Sequence, residues 1–181
     1  MYQYLLEGGN PKVPSFLFIH LCVLIKESLT KLLEVKFEEP EFEDCYIYDI
    51  TADVAKKIVV YIDSDSYIDF RKCQRISRYL EQYIDEKGWL GEKYILEVSS
   101  PGLDKPLKFK RQYVKNIGRT LNITAQEGEQ SKGVLKSVRE DDIVIEYKER
   151  IKEGKKKRTV TRTKTIRFED IEKTIVEISF K

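Results

Sequence analysis

The sequence predicts an α+β protein: an N-terminal α/β sandwich in the order α-β-β-α-β, followed by a small SH3/Sm-like β-barrel. Three observations predict it. Helix-period stripes and strand-period runs alternate up to residue 100. Beyond residue 109, five short alternating runs arrive within about 60 residues, joined by tight polar turns. The charge also changes sign between the halves: residues 24–100 carry 11 Lys+Arg against 17 Asp+Glu, net −6, and residues 101–181 carry 21 against 13, net +8. The expected organisation is an N-terminal extension over 1–23, poorly ordered, an α/β domain over 24–100, a rigid connector over 101–108 and a barrel domain over 109–181.

In the extension, the apolar run Phe16–Ile25 spans about ten residues, half of the roughly 20 a membrane-crossing helix needs. Only Lys12 precedes it as a basic residue, and no small-residue cleavage site follows, so it does not read as a signal peptide. Leu24 to Lys36 reads as a helix, with Ile25, Leu29, Leu32 and Leu33 on one stripe. Residues 44–50 and 57–63 read as a hairpin, the second strand turning Ile58, Val60 and Ile62 to one face. Asp63-Ser64-Asp65-Ser66 reads as a turn, and Asp69 as the N-cap of a helix to Glu86, stopped by Lys87-Gly88. Its buried stripe is Cys73, Ile76, Leu80, Tyr83 and Ile84. The strand 93–99 completes the first domain. After Pro106, a short helix over 109–116 is expected, then strands at 120–126, 133–140, 142–152, 159–168 and 173–180.

The composition narrows the chemistry. A chain with 35% charged residues and 41% hydrophobic ones is globular rather than disordered. Cys22, Cys45 and Cys73 form no CxxC, and His20 is the single histidine, so no zinc-ligand spacing exists and no metal is expected. Few cysteines without a framework fit a reducing cytoplasm. A nucleophilic role for Ser99 or Ser100 needs a base, usually His, and the one histidine lies in the extension. The G-x-S-x-G elbow is missing as well. A phosphate loop needs G-K-[ST] opening a helix, whereas here one glycine is followed by prolines that remove backbone donors. No catalytic residue is therefore expected. The carboxylate pairs Asp63/Asp65 and Asp141/Asp142 fall at turns, where solvated acids are the default.

Ser99, Ser100, Pro101, Gly102, Asp104 and Pro106 read instead as an interdomain connector. Pro101 fixes its own φ and pushes Ser100 to an extended backbone, Gly102 permits a positive φ, and Pro106 stiffens the exit. The candidate RNA contacts are Lys155, Lys156, Lys157 and Arg158 at a basic hairpin tip, with Arg162 and Lys164 on the following strand, where cations gain by displacing counterions from phosphates. The bland alternative is a solvated, edge-protecting hairpin. Arg71, Arg75 and Arg78 form a further basic stripe on the central helix and a second candidate anion surface, set against an ordinary exposed helix face.

The stretch YILEVSSPGLDKPL, residues 94–107, closely resembles the joint of the bacterial ribosome maturation factor RimP family. DFRKCQRISRYL at 69–80 resembles that family's central helix, and IRFEDIEKTIVEISF its last strands. The resemblance covers residues 24–181. It implies an α/β domain followed by an SH3/Sm-like barrel, and a non-enzymatic factor that binds the immature small (30S) ribosomal subunit and assists its assembly and rRNA maturation. It implies no cofactor, no small-molecule substrate and no membrane; the partners would be the precursor rRNA and a small-subunit ribosomal protein. Lys105 stands where the family usually has Arg. The long basic hairpin at 145–165 has no role that the resemblance supplies. The alternative is a protein-only adaptor whose acidic half grips a basic ribosomal protein, with incidental RNA contact.

Overall fold

The computed structural model describes residues 15–53, 56–91, 93–153 and 156–178. Among the described residues the fold is mixed α+β, with three helices and two sheets. The chain divides into two compact units, one comprising the chain to Ile62 together with Asp69–Ser99, the other Asp63–Ile68 with Ser100–Lys181.

In the first unit, α1 (Ser15–Lys36) starts nine residues earlier than the Leu24 expected from the stripe. Its apolar run 16–25 is continuous with the helical stripe that follows, and no Pro or Gly after Pro14 interrupts it. Ile25, Leu29 and Leu33 are buried. Strands β1 (Cys45–Ala52), β2 (Lys57–Ser64) and β3 (Ile95–Ser99) form a sheet in the order β1-β2-β3. β2 and β3 run parallel, pairing Lys57 with Ile95 through to Tyr61 with Ser99. A parallel pair needs a crossover, which α2 (Phe70–Lys87) supplies. Helix α2 begins where Asp69 accepts a hydrogen bond from the Lys72 N–H at 2.8 Å and ends at Gly88, whose φ of 59° is the left-handed C-cap. Cys73, Ile76, Leu80 and Ile84 are its buried face, with Tyr83 half-buried and ring-stacked edge-on to Tyr79.

The second unit contains α3 (Lys110–Lys115) and five strands: β4 (Thr120–Ala125), β5 (Gln130–Val138), β6 (Asp142–Glu153), β7 (Lys156–Arg167) and β8 (Ile171–Val176). They form an antiparallel sheet ordered β7-β6-β5-β4-β8, with a 3-10 turn, Phe168–Asp170, between β7 and β8. As described, the sheet is open, with β7 and β8 as its edges. It is strongly curved: the Lys164 amino group on β7 reaches Ser131 on β5 across the intervening β6, at 3.0 Å. Leu121, Ile123, Leu135, Ile143, Ile145, Ile166 and Val176 fill the inner face together with Tyr113, and Leu103 and Leu107 pack against them. The residues expected to link the halves thus fold onto this core: Gly102 takes φ 66°, and the Leu107 N–H donates to the Thr174 carbonyl at 2.8 Å.

One expectation is overturned. Asp63 is not a solvated turn acid but a buried one, 7% exposed, at the end of β2. Its carboxylate accepts from Lys115 Nζ at 2.8 Å, Gln112 Nε2 at 3.0 Å and the Ser64 N–H at 2.8 Å. Gln112 also reaches back to accept from the N–H of Phe109, which organises the first turn of α3. A buried carboxylate this well supplied with donors stays charged.

Candidate nucleic-acid interface

The long β6–β7 hairpin carries most of the basic residues singled out in the sequence. β5 pairs with β6 only from Ile143 to Glu146. From Tyr147 outward, β6 pairs with β7 alone, giving a two-stranded ribbon of about 20 Å. Alternation sorts its side chains onto two faces. The inner face continues the core: Ile143, Ile145, Tyr147, Glu149 and Ile151 on β6 lie opposite Ile166, Lys164, Arg162, Val160 and Arg158 on β7. The outer face carries Lys148, Arg150 and Lys152 opposite Thr161, Thr159 and Lys157.

The expected RNA contacts divide between these faces. Arg158, Arg162 and Lys164 lie on the inner face and Lys157 on the outer one. Lys155 lies outside the described residues, as does the side chain of Lys156. Two of the cations are engaged internally: Arg162 pairs with Glu149, and Lys164 with Glu129 at 2.6 Å. Lys157 and Arg158 are exposed and make no ion pair among the described residues. Sequence reasoning passed over Lys148, Arg150 and Lys152. The signal was present in their i, i+2, i+4 spacing, which puts three cations on one face of a strand.

On α2, Arg75 is tied down, pairing with Glu41 and lying over the Phe42 ring at 5.9 Å. Arg71 and Arg78 are exposed, without an ion pair among the described residues. Asp85, further along the same helix, accepts from the Tyr94 hydroxyl at 2.8 Å. Lys72, one step off the stripe, pairs with Asp44 at 2.9 Å.

Near the start of the second unit, Arg111 forms a two-point pair with Asp65. Burial pushes the Asp63 carboxyl up, but the hydrogen bonds from Lys115, Gln112 and Ser64 outweigh it, and the group sits below the ordinary carboxylate range. The Lys115 charge is thereby spent inside the fold. In the first unit, burial pushes the Cys45 thiol up to about 11, and Cys73 shifts the same way for the same reason, so neither is an activated thiol. Ser99 is half-buried and Ser100 exposed.

The fold is thus an α/β unit and a curved five-stranded antiparallel unit whose β6–β7 ribbon carries exposed cations. Comparison with known proteins identifies the family. The family profile described as the RimP N-terminal domain matches residues 40–104. The chain is 39% identical over 132 residues to the ribosome maturation factor RimP of Cytophaga hutchinsonii, covering 70% of this chain and 79% of that protein. It is 34% identical over 157 residues to that of Flavobacterium psychrophilum, covering 86% and 98%. The RimP of Christiangramia forsetii is 31% identical over 159 residues, 87% of this chain and all of that one. The chain belongs to the RimP family of ribosome maturation factors. Among the described residues, no helix is long and apolar enough to cross a membrane.

Proposed function

We propose that this protein acts in the cytoplasm by binding, without catalysis, to the immature small (30S) ribosomal subunit, where it assists assembly and rRNA maturation. The observation that carries the reading is the pairing of family membership with the charge distribution, net +8 over residues 101–181 and ribbon cations that make no ion pair among the described residues. Cations with no internal partner gain most from phosphates, because each contact releases condensed counterions. The protein stabilises an intermediate rRNA fold or presents a surface to an incoming small-subunit ribosomal protein. It then leaves when the mature subunit no longer fits. Such a mechanism runs on preferential affinity for the immature state.

The RNA-facing set includes Lys155 to Arg158 at the ribbon tip, with Arg71 and Arg78 as a second contact. Arg75, Arg162 and Lys164 contribute only by giving up their present carboxylate partners. The five-stranded unit is a partly open SH3/Sm-like barrel, a reading favoured by its curvature and by the 3-10 turn before its last strand. The net −6 of residues 24–100 and the exposed Glu38, Glu39, Glu41 and Glu43 support a second reading, an adaptor that grips a basic ribosomal protein. Replacing Lys157 and Arg158 by Glu separates the two. Loss of precursor-rRNA binding with ribosomal-protein binding intact supports the first; full retention of RNA binding supports the second.

A further inference from the structure

A two-stranded ribbon standing clear of its sheet is a marginal structure, because it buries little on either face. Here the inner face compensates with the Arg162–Glu149 pair, and Tyr147 and Ile151 are half-buried there. The outer face does the opposite. Lys148, Arg150 and Lys152 follow one another at every second residue of β6, and Lys152 stands directly opposite Lys157. Like charges placed directly opposite are destabilising. None of the four makes an ion pair among the described residues, and all are exposed. The nearest acid on that face, Glu146, lies 3.6 Å from Lys136. The rest of the outer face of β7 is a run of hydroxyls, Thr159, Thr161, Thr163 and Thr165, so no carboxylate is interleaved with the cations. The outer-face cations thus have no ion pair among the described residues, whereas on the inner face Arg162 and Lys164 are paired and Arg158 is not.

We infer that the outer face of this ribbon, through Lys148, Arg150, Lys152 and Lys157 with the hydroxyls of Thr159 and Thr161, binds the phosphodiester backbone of single-stranded RNA. Successive cations on one strand face are spaced by about 6.8 Å, two residue rises, a linear row that follows an extended backbone. Duplex RNA is recognised by contacts spread across its wide minor groove to two strands, whereas a single linear row of cations matches the backbone of one extended strand. Threonine hydroxyls donate to phosphate oxygens and carry no base preference, so the site reads backbone and not sequence. This inference rests on the RNA-binding part of the proposed function and moves its centre from the hairpin tip to the ribbon's outer face.

The test uses the full chain and a fluorescein-labelled 20-nucleotide polyuridine, with anisotropy followed across a salt series. Replacing Lys148, Arg150, Lys152 and Lys157 together by Ala weakens binding at least tenfold at 50 mM salt and flattens the log–log salt slope by about 3, since each single-strand phosphate contact contributes about 0.7. Replacing Arg162 and Lys164 by Ala changes affinity less than threefold. A variant with Lys148, Lys152 and Lys157 as Arg binds like the parent, and equal thermal midpoints establish that all variants are folded. The inference is overturned if the quadruple variant binds like the parent, if the parent does not bind polyuridine, or if polyglutamate displaces the RNA equally well per charge, which would mark an acidic-protein surface. Co-sedimentation of the parent with small subunits is run alongside. If it binds polyuridine but no small subunit, the proposed function fails while this inference stands. If the quadruple variant keeps polyuridine affinity and the parent binds subunits, the reverse holds.

Discussion

At the scale of single residues, Asp63 shows how far local pattern can mislead. In the string Asp63-Ser64-Asp65-Ser66 it looks like a turn residue, because everything adjacent is small and polar. Its partners Gln112 and Lys115 lie 49 and 52 residues away, and no short-range spacing announces them. Asparagine keeps one acceptor oxygen but turns the other into an NH2 donor facing Lys115 or Gln112, and it removes the charge that offsets Lys115. Asp63→Asn is therefore expected to destabilise the second unit by about 2 kcal/mol in urea unfolding. The pH dependence has a defined sign. The folded carboxyl titrates below its unfolded value, so its stabilisation is complete above the unfolded pKa of about 4 and is lost as pH falls through the folded value. Between pH 5 and pH 2 the parent should lose more stability than Asp63→Asn; equal losses would show that Asp63 is not held charged. The thiols give a second residue-scale expectation. Buried Cys45 and Cys73 should resist a thiol reagent at pH 8 in the native state, while half-exposed Cys22 reacts.

At the scale of elements, helices and strands were largely legible where one face is apolar. The α2 stripe, its Asp69 cap and its Gly88 stop all follow from spacing, and the structure adds only that Tyr83 sits at the margin of the buried face. Asp69→Ala should cost about 1 kcal/mol, the usual value of an N-cap. Strand faces were legible too: Leu121 and Ile123, and Ile143 and Ile145, are buried as their alternation requires. The start of α1 was not, because an apolar segment without polar alternation carries no boundary signal. The ribbon's division of labour was also missed. Composition shows many cations but not which have carboxylates across the strand pair, and that depends on register. Gly133 is an element-scale feature of the same kind. A Cβ there would meet the Glu146 carbonyl oxygen at 2.8 Å and Ile145 Cβ at 3.1 Å, where β6 crosses β5. Gly133→Ala should therefore destabilise the five-stranded unit by about 1–3 kcal/mol, the cost of overpacking, with thermal unfolding as the measure.

At the scale of the whole molecule, the proposed function rests on two properties that a sequence displays well, family membership and charge asymmetry. The sign change near Pro101 and the residues around it were legible without coordinates, and the profile match over 40–104 spans that stretch. The structure adds the distinction between spent and available charge. Of the cations that looked suited to RNA, Arg75, Arg162 and Lys164 already have partners, whereas the outer row of the ribbon makes no ion pair among the described residues. The central claim is preferential binding to an unfinished subunit. It is tested most directly by titrating the labelled protein against purified precursor and mature small subunits under identical salt and measuring both dissociation constants. Binding at least tenfold tighter to the precursor is the predicted result; equal affinity for the two would contradict the account.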